Sequence, residues 1–264
     1  MLNVYFDMEA TGKSANEAHI IQIGAVTGDG LKFDRLCQSP ISIPPASTKI
    51  HRITDKMVAG APPVRVVIQT FLDWLKALST EMGDTKQNGN NAAPGIRLVA
   101  YNGYKFDFPL LLWTMVRNGM PCKRCFREAG VVEFADPIQW AKRPEMDTSR
   151  FLLNKYGKPS FTQSDVHTVL FGKPYDDAHN ALADTLALQK ICSHDTFAAM
   201  DTSTAVNDFI VEWQTKHKLL TNAQRNAIRT YRPPTKNFFS TKRASTTPVN
   251  SPVKKRVVMT GSTQ

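Results

Sequence analysis

Val4-Tyr5-Phe6-Asp7-Met8-Glu9-Ala10-Thr11-Gly12 is a short apolar run of β type that carries two carboxylates at alternate positions and ends in a Thr-Gly turn. Side chains two apart on a strand point to the same face, so Asp7 and Glu9 project together. Two like charges side by side repel, and burying them is costly without a compensating partner. A divalent cation is the usual reason to tolerate such a pair. The alternative is a solvent-facing acidic pair on an edge strand, and only segments much further along the chain decide between the two.

The first of these is Leu98 to Leu112, which reads as a buried strand, a Gly-containing turn at Asn102-Gly103, and an apolar helix beginning near Asp107. Asp107 by itself fits a helix N-cap, with Pro109 in the first turn as helix starts favour. The second is Tyr175-Asp176-Asp177-Ala178-His179-Asn180-Ala181-Leu182-Ala183-Asp184, with an amphipathic helix from Asn180 onward whose faces are divided by Leu182, Leu186 and Gln189/Lys190. On one continuous helix His179 and Asp184 would stand roughly 140° apart. They converge on one site only if His179 lies on the loop entering the helix, where a proton-transfer group can close on substrate. Otherwise His179 makes local hydrogen bonds and Asp184 sits on a solvated face.

Taken in order, Phe-Asp-Met-Glu-Ala-Thr-Gly at 6–12, Asn-Gly-x-x-Phe-Asp-Phe-Pro-Leu-Leu at 102–111 and His-x-x-x-x-Asp at 179–184 resemble the three motifs of the DEDDh 3′→5′ exonucleases. The wording is most similar to the three-prime repair exonuclease family, over roughly residues 2–195. Ile50-His51-Arg52-Ile53-Thr54 sits where that group carries a substrate-wedge segment, and 169–174 resembles the stretch before the last motif. The resemblance implies that Asp7, Glu9, Asp107 and Asp184 hold two Mg²⁺ ions, for which Mn²⁺ substitutes, as hard cations prefer oxygen ligands. It implies His179 as general base, its unperturbed pKa near 6.5 suiting proton transfer at neutral pH. It also implies contacts to the terminal nucleotide from Ala10, Thr11 and Ile53, with Asn102 and Phe106 beside them. Departures are Tyr101 in place of a histidine, Phe106 where tyrosine is frequent, and Lys13 where an apolar residue follows Thr-Gly. These bear on rate and nucleotide preference, and none removes a carboxylate.

The composition names the partner class. The chain has 264 residues, and Lys and Arg exceed Asp and Glu by 33 to 23, a formal net charge of +10. Such a balance suits a polyanion and salt-sensitive binding. Tyr104 and Phe106 are candidates for base stacking. Cys37, Cys122, Cys125 and Cys192 make no disulfide framework. Cys122-x-x-Cys125 has zinc-knuckle spacing but lacks a second ligand pair, so the thiols are expected reduced in an intracellular protein. Neither a membrane span nor a signal peptide is expected, which leaves a nuclear or cytoplasmic protein.

Strands are expected near 2–8, 19–27 and 31–37, with a hairpin turn at Gly28-Asp29-Gly30. A helix over 64–78 is marked by Val67, Phe71, Trp74 and Leu75; then come a polar loop over 83–95, a strand over 97–101, a helix over 107–117, a strand near 131–135 and helices to about 195. The pattern is α/β, a mixed central sheet flanked by helices. The resemblance sharpens it to a ribonuclease-H-like (DnaQ-like exonuclease) fold and implies a homodimer. The organisation read is an exonuclease domain over 1–198, a helical extension over 199–231, and a basic, disordered tail over 232–264. In the extension, Val206, Phe209, Ile210 and Trp213 form an apolar stripe suited to docking on the core or on a partner, and a second short helix is expected near Thr221. In the tail, 252–257 looks like a nuclear-import signal, and 237–243 resembles the aromatic-then-basic end of a sliding-clamp-binding peptide. The functions in view are a 3′→5′ exonuclease acting on free DNA 3′ ends, single-stranded or frayed; an exoribonuclease of the same fold; or a catalytically silent nucleic-acid-binding adaptor.

Overall fold

The computed structural model describes residues 1–84, 95–143, 149, 151–198 and 200–219. The chain divides into two units, Met1–Leu220 and Thr221–Gln264, and the second lies outside the described residues. So do the expected short helix near Thr221, the clamp-like and import-like patches, and most of the polar loop over 83–95.

The elements run β1 (Leu2–Ala10), β2 (Ile20–Thr27), β3 (Lys32–Leu36), α1 (Pro45–His51), α2 (Asp55–Val58), α3 (Val64–Asp84) and β4 (Ile96–Val99). They continue with α4 (Asp107–Arg117), α5 (Cys122–Glu128), β5 (Val131–Ala135), α6 (Pro137–Ala141), α7 (Gln163–Phe171), α8 (Ala181–Cys192), α9 (Asp195–Ala198), β6 (Ser203–Ala205) and α10 (Val206–Lys216). The strands form one sheet in the order β3-β2-β1-β4-β5-β6. β1 pairs antiparallel with β2 and parallel with β4, and β5 is parallel to β4 and antiparallel to β6. The protein is therefore a mixed α/β fold with a six-stranded mixed sheet flanked by helices.

Period-two alternation along β1 assigns its side chains to two layers. Val4, Phe6, Met8 and Ala10 enter the larger core with α3, α4, α5 and α10, where Phe108 stacks on Phe134 at 4.2 Å between centroids and Phe6 lies 5.6 Å from Phe108. Tyr5 enters the second core, with Val26 and Val99 and with Leu188 and Ile191 of α8. Asp7 and Glu9 share the face of Tyr5, beneath α8.

α8 lies very close to the sheet, and one glycine permits it. A Cβ on Gly24 would fall 2.5 Å from the Ala181 carbonyl carbon and 2.6 Å from the Leu182 nitrogen. Gly24 stands opposite Asp7 in the β1–β2 register, so the first turn of α8 lands at the height of the first carboxylate. The close approach also corrects the expected helix faces. Small side chains face the sheet at the close approach, so Ala181, Asp184 and Thr185 are buried there, Leu188 and Ile191 enter the second core further along, and Leu186 is 37% exposed.

Four other boundaries differ from expectation. α3 continues to Asp84, six residues past the expected end. β4 ends at Val99 because Asp136 captures the chain beyond it: its carboxylate accepts the N–H groups of Asn102 and Tyr104. α1 and α2 bracket the wedge-like stretch at 50–54, where no helix was expected. β6 adds a sixth strand that three residues were too few to announce. From there α10 docks its stripe on the core, with Val206, Ile210 and Trp213 buried against β5, β6 and α5. The four cysteines are free thiols. Among the described residues no helix is long and apolar enough to cross a membrane.

Candidate active site

β1 carries Asp7 and Glu9 to the sheet's centre, and α8 brings Asp184 over them. One carboxylate oxygen from each of these three residues lies within 4.8 Å of the other two. Asp107 stands beside this trio at the first turn of α4, 3% exposed, its Oδ1 buried without a hydrogen-bond partner. Burial pushes the whole group up, and repulsion from neighbouring carboxylates adds to it at Asp7, Glu9 and Asp107. Burial, then Asp107, Asp184 and Glu9, hold Asp7 well above the ordinary carboxylate range. Glu9 is raised to about 7 by burial and by Asp184, and Asp107 to about 8, mainly by burial. Asp184 is raised by burial, against the lowering effect of Tyr175 and His179. Four crowded carboxyls with one orphaned buried oxygen fit a hard divalent cation, which replaces lost hydration with opposite charge.

His179 lies on the loop ahead of α8, as convergence requires, with Asn180 capping the helix through the Ala183 N–H. Its φ is 69°, and its own N–H donates to both Asp184 oxygens, at 3.1 and 3.3 Å. The phenol of Tyr175, which belongs to none of the three motifs, donates to Asp184 Oδ1 at 2.6 Å. Beside the loop is a cavity of about 380 Å³ lined by His179, Asp177, Ile53, Arg52, His51 and Gln22, among others. Arg52 and Asp177 meet across it at 3.5 Å, both largely exposed. Backbone strain concentrates here. Of the five non-glycine residues with positive φ among those described, Arg52, Asp177 and His179 line the cavity and Asn102 lies on the approach to Asp107. Such outliers persist where surrounding structure over-determines them.

The remaining candidates have these surroundings. Ala10 ends β1 at a register shift and is buried. Thr11 is tied down on every side: its N–H donates to the His19 carbonyl, its hydroxyl accepts from the His19 N–H, and its carbonyl accepts from Ser47. Ile53 is 4% exposed in a small apolar cluster with Ile21, Ile43 and Val58, so little of it reaches the cavity it borders. Asn102 is half-buried, with φ of 58° and its N–H on Asp136 at 2.8 Å. Phe106 is half-buried against the larger core.

Of the two aromatics expected to stack on bases, Tyr104 is a packing residue. Its ring lies against Phe108 and Phe209, and its hydroxyl donates to the carbonyls of Phe134 and Thr202. Tyr101, in the position of an expected histidine, is buried and donates to the Phe161 carbonyl.

Residues 4–88 match the Exonuclease family, RNase_T. The chain is 40% identical over 75 residues to DNA polymerase III subunit epsilon of Treponema pallidum (strain Nichols), covering 27% of this chain and 35% of that protein. It is 29% identical over 117 residues to the same subunit of Aquifex aeolicus (strain VF5), covering 41% and 54%. The chain thus spans about a third to a half of the curated relatives it matches. Among solved structures, E. coli exonuclease I in complex with a dA16 oligonucleotide superposes with a TM-score of 0.54 at 19% identity, over 83% of this chain and 44% of that one. Exonuclease I from Methylocaldum szegediense does so with a TM-score of 0.55 at 22% identity, over 72% and 39%. These structures share the fold.

Sequence reasoning passed over Asp136, Gln22 and Tyr175. Asp136 is fully buried and caps both the 102–104 turn and α6, donors to its carboxylate being Asn102, Tyr104 and Ile138. Gln22 accepts from the Ala181 N–H and donates to Asp34, fastening the start of α8 to the sheet. Asp136-Pro137 was visible as a helix start. Nothing in the sequence marked its second task.

Proposed function

We propose that this protein is a metal-dependent 3′→5′ exodeoxyribonuclease of the DEDDh type, releasing nucleoside 5′-monophosphates from free 3′ ends. The observation that carries the reading is the meeting of Asp7, Glu9 and Asp184 within 4.8 Å beside buried Asp107, with His179 on the loop fastened to Asp184. The family matched by residues 4–88 and the oligonucleotide-bound fold of exonuclease I point the same way.

In this reading Asp7, Glu9, Asp107 and Asp184 hold two Mg²⁺ ions, or Mn²⁺ in their place. When bound, such ions acidify a water molecule and neutralise charge developing on the phosphoryl group. The chain's own residues do the rest. His179 takes the proton of the attacking water, and the loop holding its backbone on Asp184 sets it opposite the carboxylates. The Ala10-Thr11 backbone, fixed by His19 and Ser47, would offer a rigid edge for the terminal nucleotide, and Ile53, Asn102 and Phe106 are the further contacts that the resemblance implies. Rigidity there shortens the search for an attack geometry. The homodimer and the tail's clamp contact rest on the sequence resemblance alone.

The test is digestion of 3′-labelled and 5′-labelled single-stranded DNA and RNA oligonucleotides with Mg²⁺, beside His179→Ala. A ladder receding from the DNA 3′ end, absent in the variant, is the expected result. Faster cutting of RNA would transfer the reading to an exoribonuclease, and uncut substrate in every lane would leave a binding adaptor.

A further inference from the structure

Tyr175 is half-buried nine residues before Asp184, and three contacts fix where its hydroxyl goes. Its ring meets His167 edge-on at 5.3 Å between centroids. His167 is itself buried, held by its Nδ1 at 2.9 Å from the Lys173 carbonyl and tilted on Phe171 at 4.7 Å. From that platform the phenol donates to Asp184 Oδ1 at 2.6 Å, a length typical of a hydroxyl bonded to a carboxylate. The Asp184 backbone is fixed separately, its carbonyl accepting from Gln163 at 2.7 Å.

The same carboxylate receives the His179 N–H. Tyr175 and His179 thus pin both ends of the turn through Asp176, Asp177 and Ala178 to one side chain. Within this turn Asp177 has φ of 54° and His179 of 69°. Left-handed backbone at two L-residues so close together does not hold itself; the bonds to Asp184 hold it, together with the Asn180 N–H on the Asp177 carbonyl at 3.1 Å.

We infer that Tyr175 is a positioning residue: its hydroxyl orients Asp184 toward the cation and, through the shared carboxylate, holds the His179 loop in place. The inference rests on the proposed function for the cation, whereas its loop-holding half does not. Donors behind a ligating carboxylate commonly change metal affinity ten- to a hundredfold when removed. A purely structural tyrosine would alter melting and leave both the affinity and the loop untouched.

The experiment uses the full chain with Tyr175→Phe, which keeps the ring on His167, and with Asp184→Asn. Mn²⁺ titration by calorimetry is expected to show a dissociation constant about ten- to a hundredfold higher for Tyr175→Phe than for the wild type. In metal-free protein, amide hydrogen exchange at His179 is expected to quicken about tenfold or more in both variants, because the bond that closes the turn is weakened. Unchanged Mn²⁺ affinity in Tyr175→Phe, with Asp184→Asn impaired, would overturn the orienting half. Unchanged His179 exchange in both variants would overturn the loop half. A wild type that takes up no Mn²⁺ would overturn the cation reading itself, and the exchange data would still decide the loop.

Discussion

Glu9→Gln should stabilise the metal-free protein at alkaline pH, although it deletes a residue at the centre of the site. Gln mimics the protonated acid in shape and polarity, so the variant isolates the cost of the charge. Burial and Asp184 raise Glu9 to about 7 from an ordinary 4.5. An acid whose pKa is raised on folding binds its proton more tightly in the folded state. Its stabilising effect is therefore complete below pH 4.5 and is lost as pH climbs through about 7. At roughly 1.4 kcal/mol per unit, the ionised side chain costs about 3 kcal/mol at pH 8. For a folded body of this size that corresponds to a melting temperature about 6–12 °C higher for the variant at pH 8, and no difference at pH 4.5. Subtracting the wild type removes the opposing histidines: His51 and His167 are lowered by burial and favour folding as pH rises, equally in both proteins. Calorimetric melting in EDTA across pH 4.5–8 measures the difference directly. Excess Mg²⁺ should reverse its sign, because only the wild type keeps the full set of carboxylates. A difference that does not change with pH, or a variant less stable than the wild type at pH 8 in EDTA, would refute the crowded-carboxylate argument.

His179→Ala should lower the turnover rate by about 10²–10⁴-fold while leaving Mn²⁺ binding by calorimetry nearly intact, since it removes proton transfer and no carboxylate. Gly24→Ala, whose Cβ would sit 2.5 Å from the Ala181 backbone, should cost about 1–3 kcal/mol by denaturant unfolding and weaken Mn²⁺ binding, because α8 must lift Asp184 off Asp7. Asp136→Ala strands the N–H groups of Asn102, Tyr104 and Ile138, and should cost at least ~2 kcal/mol in the same assay. Arg52→Ala removes a pair exposed at both ends, and melting should shift by no more than ~0.5 kcal/mol in stability.

What the sequence made legible is what obeys a short period or a local stop signal. Asp7 and Glu9 are two apart on a strand, and period two put them on one face whatever the rest of the chain did. α4 begins at Asp107, as an acidic residue followed by Pro109 in the first turn announces. His179 and Asp184 are five apart, so their convergence on one site required the histidine to lie on the loop before α8, and it stands there.

The illegible residues act across distances the chain does not encode locally. Asp136 holds a turn 34 residues earlier, and Gln22 fastens a helix 159 residues later. Gly24 looked like a neutral position in a uniformly buried strand. Its reason is an α8 backbone more than 150 residues away, and that contact moved Leu186 off the buried face of α8 by bringing Ala181, Asp184 and Thr185 to the sheet. Asp184 was open to reading as a solvated residue for the same cause, since hydropathy along α8 cannot tell a buried carboxyl from an exposed one. The charge itself resolves the difference. A lone buried carboxyl would be expelled to water or neutralised, whereas one beside Asp7, Glu9 and a phenol makes a cluster whose chemistry suits a cation. Tyr175 escaped notice because it belongs to no periodic face and serves only through Asp184. A residue of that kind becomes visible only when the oxygen it touches has been placed.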